Sequence, residues 1–318
     1  MRIFVTGAAG FIGSNYVRRV LATTDNAVTV YDLLTYAGNL STLRDLRGHA
    51  QFRFVQGDIC DREAVARAMD GHGAVVHFAA ESHVDRSIAS PDAFVRTNCD
   101  GTNVLCDTAR RVGVDRFLHV STDEVYGSIA SGSFGESDPL GPRSPYSASK
   151  AGSDLIALAY HATYGLSVLV TRSSNNFGPY QYPEKVIPLF VTNLLEGKTV
   201  PLYGDGLNIR DWCYVDDNCA ALDCVLRRGK VGEIYNIGAG NEITNRDLTE
   251  RILALCGGGE ERIERVADRL GHDRRYSVDT TKVRALGWAP VHALDEALAA
   301  TVRWYRDNRW WWEPLRRR

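Results

Sequence analysis

The sequence predicts a doubly wound parallel α/β sheet with a smaller α/β substrate-binding domain attached. Three observations lead there. From the first residues to about position 175, short β-branched and aromatic runs alternate with amphipathic stretches. A glycine-rich turn, Gly7-Ala8-Ala9-Gly10-Phe11-Ile12-Gly13, separates the first such run from the first amphipathic stretch. Past that point the alternation loosens, and Pro179, Pro183, Pro188 and Pro201 punctuate loops.

Taken in order, Arg2–Thr6 reads as the first strand, because Ile3, Phe4 and Val5 form an unbroken apolar run. Ile12–Leu21 follows as a helix. Ala27–Asp32, Phe52–Gly57, Ala74–Ala79, Arg116–Ser121 and Ser167–Arg172 read as further strands. Arg62–Met69, Ala93–Arg111 and Tyr146–Tyr164 read as the helices between them. Nearly continuous apolar strands need cover on both faces, which strand–helix alternation supplies. In the second part, helices are expected at Val186–Leu195, Val215–Arg227, Asn245–Leu255 and Leu294–Asp307. The expected division is residues 1–174, joined by segments returning from the C-terminal half, and residues 175–318.

Composition narrows the function. With 318 residues and 44% hydrophobic content, a sizeable core is available. A formal net charge of −2 argues against a nucleic-acid binder. The cysteines, at 60, 99, 106, 213, 219, 224 and 256, are odd in number and form no CxxC unit, so reduced thiols are expected. The histidines show no metal-binding spacing, and no metal is expected. No apolar run is long enough to cross a bilayer and no leader segment is evident, which reads as a cytoplasmic protein with no membrane partner.

The glycine turn permits close approach of backbone N–H groups to a pyrophosphate. Gly7, Gly10 and Gly13 are its glycines, with Phe11 and Ile12 between them. Asp32 closes the second strand, where a carboxylate accepts hydrogen bonds from a ribose diol and repels a 2′-phosphate. NAD is therefore expected rather than NADP, on a Rossmann sheet. The G-x-x-G-x-x-G spacing resembles the extended short-chain dehydrogenase/reductase superfamily. That likeness implies further cofactor contacts from Asp58, Ile59, Phe78, Ala79, Ala80, Thr97 and Asn176.

Tyr146 and Lys150 lie four apart at the start of a helix, so their side chains share a face. Free tyrosine, with a pKa near ~10, is a poor base at neutral pH. A nearby ammonium and the positive nicotinamide ring would lower that value. Just past a strand end stand Thr122, Asp123 and Glu124, a proton donor and acceptor suited to eliminating water. In a regular strand Asp123 and Glu124 would point to opposite faces. Both serve one site only if the strand has already broken there.

Ala79-Ala80-Glu81-Ser82-His83-Val84-Asp85-Arg86-Ser87, Ser121–Gly127, Tyr146–Lys150, Ser174-Asn175-Asn176, Pro183-Glu184-Lys185, Arg210-Asp211-Trp212 and Gly271–Tyr276 together resemble the dTDP-glucose 4,6-dehydratases. The likeness implies that Tyr146 removes the C4 hydroxyl proton while NAD takes the C4 hydride. Glu124 then removes the C5 proton, Asp123 protonates the departing C6 hydroxyl, and hydride returns to C6. The cofactor, regenerated each turnover, is expected to stay tightly bound. Thr122 is expected on the C4 oxygen and Ser82 on the sugar. Asn175, Lys185, Val186, Pro201, Leu202, Tyr203, Arg210, Asn245, Tyr276 and the Asp268–His272 loop match positions lining the nucleotide-sugar pocket. Arg210 and Arg274 are expected to grip the diphosphate, which a guanidinium fork fits.

Departures from the family pattern are Ser173 for a frequent cysteine, Phe177 for tyrosine and Leu270 for proline; none removes a chemical group. The short interval between Glu124 and Tyr146 resembles members that make deoxysugars for bacterial natural products. The likeness also implies a homodimer through helices Asn98–Arg111 and Ser147–Tyr164. The Trp/Arg-rich end is expected to cover the terminal helix and the bottom of the sheet, so that removing Pro314–Arg318 spares catalysis. Rival readings are a nucleotide-sugar 4-epimerase, which needs no acid pair, a sugar-acid decarboxylase, and a non-catalytic NAD-binding regulator.

Overall fold

A computed structural model describes residues 1–268 and 271–316; Leu270 lies outside them. The strands are β1 (Arg2–Thr6), β2 (Ala27–Asp32), β3 (Phe52–Gln56), β4 (Ala74–His77), β5 (Arg116–Thr122), β6 (Val168–Ser173), β7 (Asn175–Phe177), β8 (Val200–Tyr203), β9 (Ile209–Tyr214), β10 (Ile234–Ile237), β11 (Glu242–Thr244) and β12 (Ile263–Val266). The helices are α1 (Phe11–Thr23), α2 (Arg62–Met69), α3 (Val84–Ala89), α4 (Asp92–Phe94), α5 (Gly101–Val112), α6 (Pro145–Tyr164), α7 (Val186–Leu195), α8 (Val215–Arg228), α9 (Asn245–Cys256), α10 (Thr281–Arg284), α11 (Leu294–Asp307) and α12 (Arg309–Arg316).

Seven strands form one parallel sheet in the order β10-β6-β5-β4-β1-β2-β3. Its register sets Val5 beside Val30 on one side and Val76 on the other. Successive strand residues feed opposite layers. Ile3, Val5, Val28 and Val30 pack with Tyr16 of α1 and Leu222 of α8. Phe4, Val75 and Val170 face the other way, toward Leu105 of α5 and Ala157 of α6. Chain order reverses between β1 and β4, so a crevice opens at the strand ends there.

The second half supplies a separate core. Phe177, Phe190, Trp212, Leu248, Leu298, Tyr305 and Trp312 pack together among α7, α9, α11 and α12. Two small sheets border it, β11-β9-β7 and β12-β8. The large sheet also draws on this half of the chain: α8 packs on α1 and β10 pairs with β6.

Two expectations need correction. The single helix expected over Ala93–Arg111 is α4, a π turn at Val95–Asp100, and α5. Within that turn the Asn98 side chain is buried, accepting from Glu81 N and donating to Ser149 Oγ. The tryptophans do not cover the bottom of the sheet. Trp311 and Trp312 are core residues of the second half, with Nε1 donors satisfied by Thr42 Oγ1 (3.1 Å) and Tyr305 O (2.7 Å). Leu315 is buried with them and Arg316 is bonded to Thr192 and Asn193, so loss of Pro314–Arg318 would open this core.

All seven cysteines are free thiols. Among the described residues no helix is long and apolar enough to cross a membrane, and no cluster of three or more potential metal ligands occurs.

Candidate active site

The glycine turn leads directly from β1 into α1. Gly7 has φ +72°, and a Cβ there would lie 2.4 Å from Ala79 N. A Cβ at Gly13 would lie 2.7 Å from Ala8 Cα, so α1 lies close against the turn. The helix begins after Gly10 with no side-chain cap and no acidic residue in its first turn. Its N-terminal amides thus face a cavity of about 610 Å³ across the β1/β4 crevice.

Every residue expected to touch the cofactor lines this cavity: Gly7, Gly10, Phe11, Ile12, Gly13, Asp32, Asp58, Ile59, Phe78, Ala79, Ala80, Thr97, Tyr146, Lys150 and Asn176. Asp32 is 8% exposed, and its carboxylate accepts N–H bonds from Ala9 (2.9 Å) and Leu34 (2.8 Å). Burial pushes its pKa up, and those two bonds pull the other way. Asp58 pairs with Arg96 at 2.8 Å. The uncapped helix, the small-residue turn and the Asp32 carboxylate fit a dinucleotide.

The strand breaks where the chemistry needs it to. Thr122 is extended, and Asp123–Val125 forms a 3-10 turn. Thr122 Oγ1 accepts Glu124 N–H at 3.3 Å. Asp123 and Glu124 consequently line the same cavity. Asp123 is 3% exposed, and its Oδ2 meets no hydrogen-bond donor. Burial, then the charges of Glu124 and Asp211, push its pKa up to about 8, so it holds its proton at neutral pH.

Tyr146 occupies the first turn of α6 because Ser144 and Ser147 form a reciprocal cap and Pro145 opens the helix. One turn on, Lys150 is buried and donates to Val120 O at 2.8 Å. Its pKa falls to about 8 through burial, against the pull of Asp154. The expected lowering of Tyr146 does not appear in the protein alone. Burial, then Glu124, push its pKa up, while a hydrogen bond with Thr122 opposes them.

A second cavity, about 210 Å³, adjoins the first, and Glu124, Asn175, Asn176 and Lys185 line both. Val186, Pro201, Tyr203, Arg210, Asn245, His272 and Tyr276 line the second alone. Ser82 and Thr122 line the first. Arg210 is 5% exposed, donates to Asp273 O (2.9 Å) and stacks 4.2 Å above the Tyr276 ring.

Arg274, Leu202, Asp268 and Gly271 fall outside these linings. Arg274 is exposed and forks onto Asp205 at 2.9 and 3.1 Å. Leu202 is buried against Gly206. Asp268 pairs with His272 at 2.6 Å, and Arg269 and Leu270 lie outside the described residues.

Sequence reasoning missed Glu184 as a wall residue of both cavities. It accepts from Tyr36 OH at 2.9 Å and lies 3.6 Å from Arg86, which stacks on the Tyr36 ring. Its place in Pro183-Glu184-Lys185, beside Lys185, was the available signal. Asp154 and Arg172, buried below the site, gave none beyond helical spacing.

Residues 4–301 match the GDP-mannose 4,6 dehydratase family. A dTDP-glucose 4,6-dehydratase of Streptomyces antibioticus is 57% identical over 100% of this chain and 96% of that protein. A crystal structure of DesIV, the dTDP-glucose 4,6-dehydratase of Streptomyces venezuelae, with NAD and TYD bound, superposes with a TM-score of 0.98 at 57% identity, over 99% of this chain and 100% of that one. The dTDP-glucose 4,6-dehydratase of Bacillus anthracis, in complex with NAD, gives 0.92 at 48% identity over 99% of each chain. With that agreement along the whole sequence, the chain belongs to the dTDP-glucose 4,6-dehydratase family.

Proposed function

We propose that this protein is an NAD-dependent dTDP-glucose 4,6-dehydratase that makes dTDP-4-keto-6-deoxyglucose and water, in deoxysugar biosynthesis. The observation that carries this reading is the acid pair. Asp123, buried and protonated, stands beside Glu124, where the two cavities meet and next to Tyr146. An epimerase has no use for a second carboxyl at that point.

Bound NAD supplies the hydride acceptor at C4 and the hydride donor at C6. Gly7, Gly10, Gly13 and the α1 amides would hold its pyrophosphate, Asp32 its adenosine ribose, and Lys150 its nicotinamide ribose. With the positive nicotinamide ring and the Lys150 ammonium to favour its phenolate, Tyr146 would take the C4 hydroxyl proton, and Thr122 orients that oxygen. A C4 ketone acidifies the C5–H bond, and Glu124 removes that proton. Asp123, already carrying its proton, delivers it to the C6 hydroxyl, which leaves as water. Two close carboxyls separate their protonation states as a pair, so one fold supplies both acid and base at one pH. Glu124 then returns its proton to C5, and the proton held by Tyr146 passes through solvent to restore Asp123. Arg210, backed by Tyr276 and Asp273, would meet the diphosphate, and Asn175, Lys185, Val186, Pro201, Tyr203 and Asn245 would surround the nucleotide.

Residues 1–174 with α8 and β10 serve as the cofactor half in this reading. Exposed Val95, Leu155 and Tyr164, near or on α5 and α6, support a homodimer. Seven free thiols support a cytoplasmic setting.

Incubation with dTDP-glucose in D₂O should give a 4-keto-6-deoxy product carrying deuterium at C5, read by mass spectrometry. Unchanged sugar, or its C4 epimer, would reject the proposal. A panel of dTDP-, UDP-, GDP- and CDP-hexoses reads the base preference.

A further inference from the structure

Tyr146, Lys150 and Asp154 fall at successive turns of one face of α6, and all three are buried. Asp154 is completely buried. Its Oδ2 accepts from Arg172 Nε at 2.9 Å, on β6. Its Oδ1 lies 3.2 Å from His119 Nε2, on β5. Arg172 in turn places its guanidinium 4.7 Å above the Tyr126 ring. Tyr126 is the residue that closes the acid turn: its N–H bonds Asp123 O at 3.0 Å, and Gly127 N–H bonds Glu124 O at 3.3 Å. Its hydroxyl is fixed on Asn236 Oδ1 at 2.8 Å, and its ring stacks on Phe134 at 5.0 Å. One buried ion pair therefore spans the underside of the site, from the lysine's helix to the turn bearing both carboxyls.

Around Lys150 stand Asp154 from α6, Cys99 from the π turn, His77 from β4 and His119 from β5. Burial lowers both histidines, leaving them neutral, and raises the Cys99 thiol, leaving it protonated. Asp154 stays ionised: burial opposes it, and a hydrogen bond with neutral His119 and the charge of Arg172 outweigh that. Of these groups it alone brings a negative charge to a lysine that burial would otherwise neutralise.

We propose that Asp154 and Arg172 are a positioning pair: Asp154 keeps the Lys150 ammonium charged and in place, and Arg172 braces the Asp123–Glu124 turn through Tyr126. The pair thus holds the oxidation half of the site (Tyr146, Lys150) in register with the elimination half. This rests on the roles proposed above for those side chains. A buried pair that served only to satisfy its own charges would have no bearing on Lys150.

Lysine ¹³Cε NMR titration separates these possibilities and needs no turnover, and the other lysines (185, 198, 230 and 282) leave few signals to assign. In Asp154→Asn the Lys150 midpoint should drop by about one pH unit or more, and the alkaline limb of the dTDP-glucose pH–rate profile should move down with it. At pH 8 turnover should fall about fivefold or more as the ammonium population falls. Asp154→Leu/Arg172→Met removes both charges and should keep its thermal midpoint, because well-packed apolar residues replace buried ion pairs at little cost. It should still show the lowered Lys150 midpoint. Recovery of the wild-type lysine titration and pH profile in that double variant would overturn the proposal, as would an unmoved midpoint in both variants. If wild-type protein left dTDP-glucose untouched, the dehydratase reading would fail, while the titration would still decide the electrostatic claim.

Discussion

In the cofactor cavity the working side chains stand at the ends of adjacent parallel strands, many of them on consecutive residues. The glycine turn, Phe78–Ala80 and Thr122–Glu124 each come from a single strand end. The second cavity is assembled from scattered pieces: Val186 opening α7, Pro201 and Tyr203 on β8, Arg210 on β9, Asn245 opening α9, and His272 and Tyr276 in a late loop. One region is specified by short motifs whose spacing is the geometry. The other depends on a core that closes only when distant segments pack. Two arginines show the difference. Arg210 and Arg274 look alike in sequence, yet one is buried on backbone carbonyls and Tyr276 while the other is exposed on Asp205.

Glu124→Gln tests the motif-built region at its most sensitive point. Product formation should fall by about 10²–10⁴, while C4 oxidation survives and reduced cofactor accumulates as absorbance at about 340 nm. Normal turnover would remove Glu124 from the role of C5 base. Trp312→Ala tests the other region as a packing unit. Its ring is fully buried, so the expected loss is about 3–5 kcal/mol of stability by denaturant titration.

Asp123→Asn sharpens the electrostatic side of the comparison. The carboxyl titrates near its usual acidic value when unfolded and at about 8 when folded. The folded protein thus binds the extra proton between those limits, and wild-type stability should decline as pH rises from about 4 to about 8. The variant should lack that component, and equal pH slopes in the two proteins would contradict it. Arg210→Ala should raise KM for dTDP-glucose about tenfold or more, as expected for a lost charged hydrogen bond. Arg274→Ala should change it by less than about twofold, since exposed ion pairs contribute little. Equal effects would mean that burial does not distinguish the two.

The same contrast explains what could be read from the chain. Strand ends, the glycine loop, Asp32 and the Tyr146/Lys150 pair are legible because their partners lie within a few residues or at helical spacing. The requirement that the strand break after Thr122 was also readable, as a steric consequence of two adjacent acids sharing one site. Asp154 escaped notice because its meaning depends on Arg172 and His119, which lie on other strands. The contact of Trp312 with the terminal helix is legible, because Tyr305 lies seven residues away, whereas Trp311 reaches Thr42 and Tyr180, more than a hundred residues distant. Short strands such as β7, β11 and β12 carry too few residues for any period to show.

That tryptophan cluster has a practical corollary. Trp311 reaches across to Thr42, beside the loop that follows Asp32 in the cofactor half. A handle fused beyond α12 therefore calls for a spacer that leaves the packing of Trp311, Trp312 and Leu315 undisturbed.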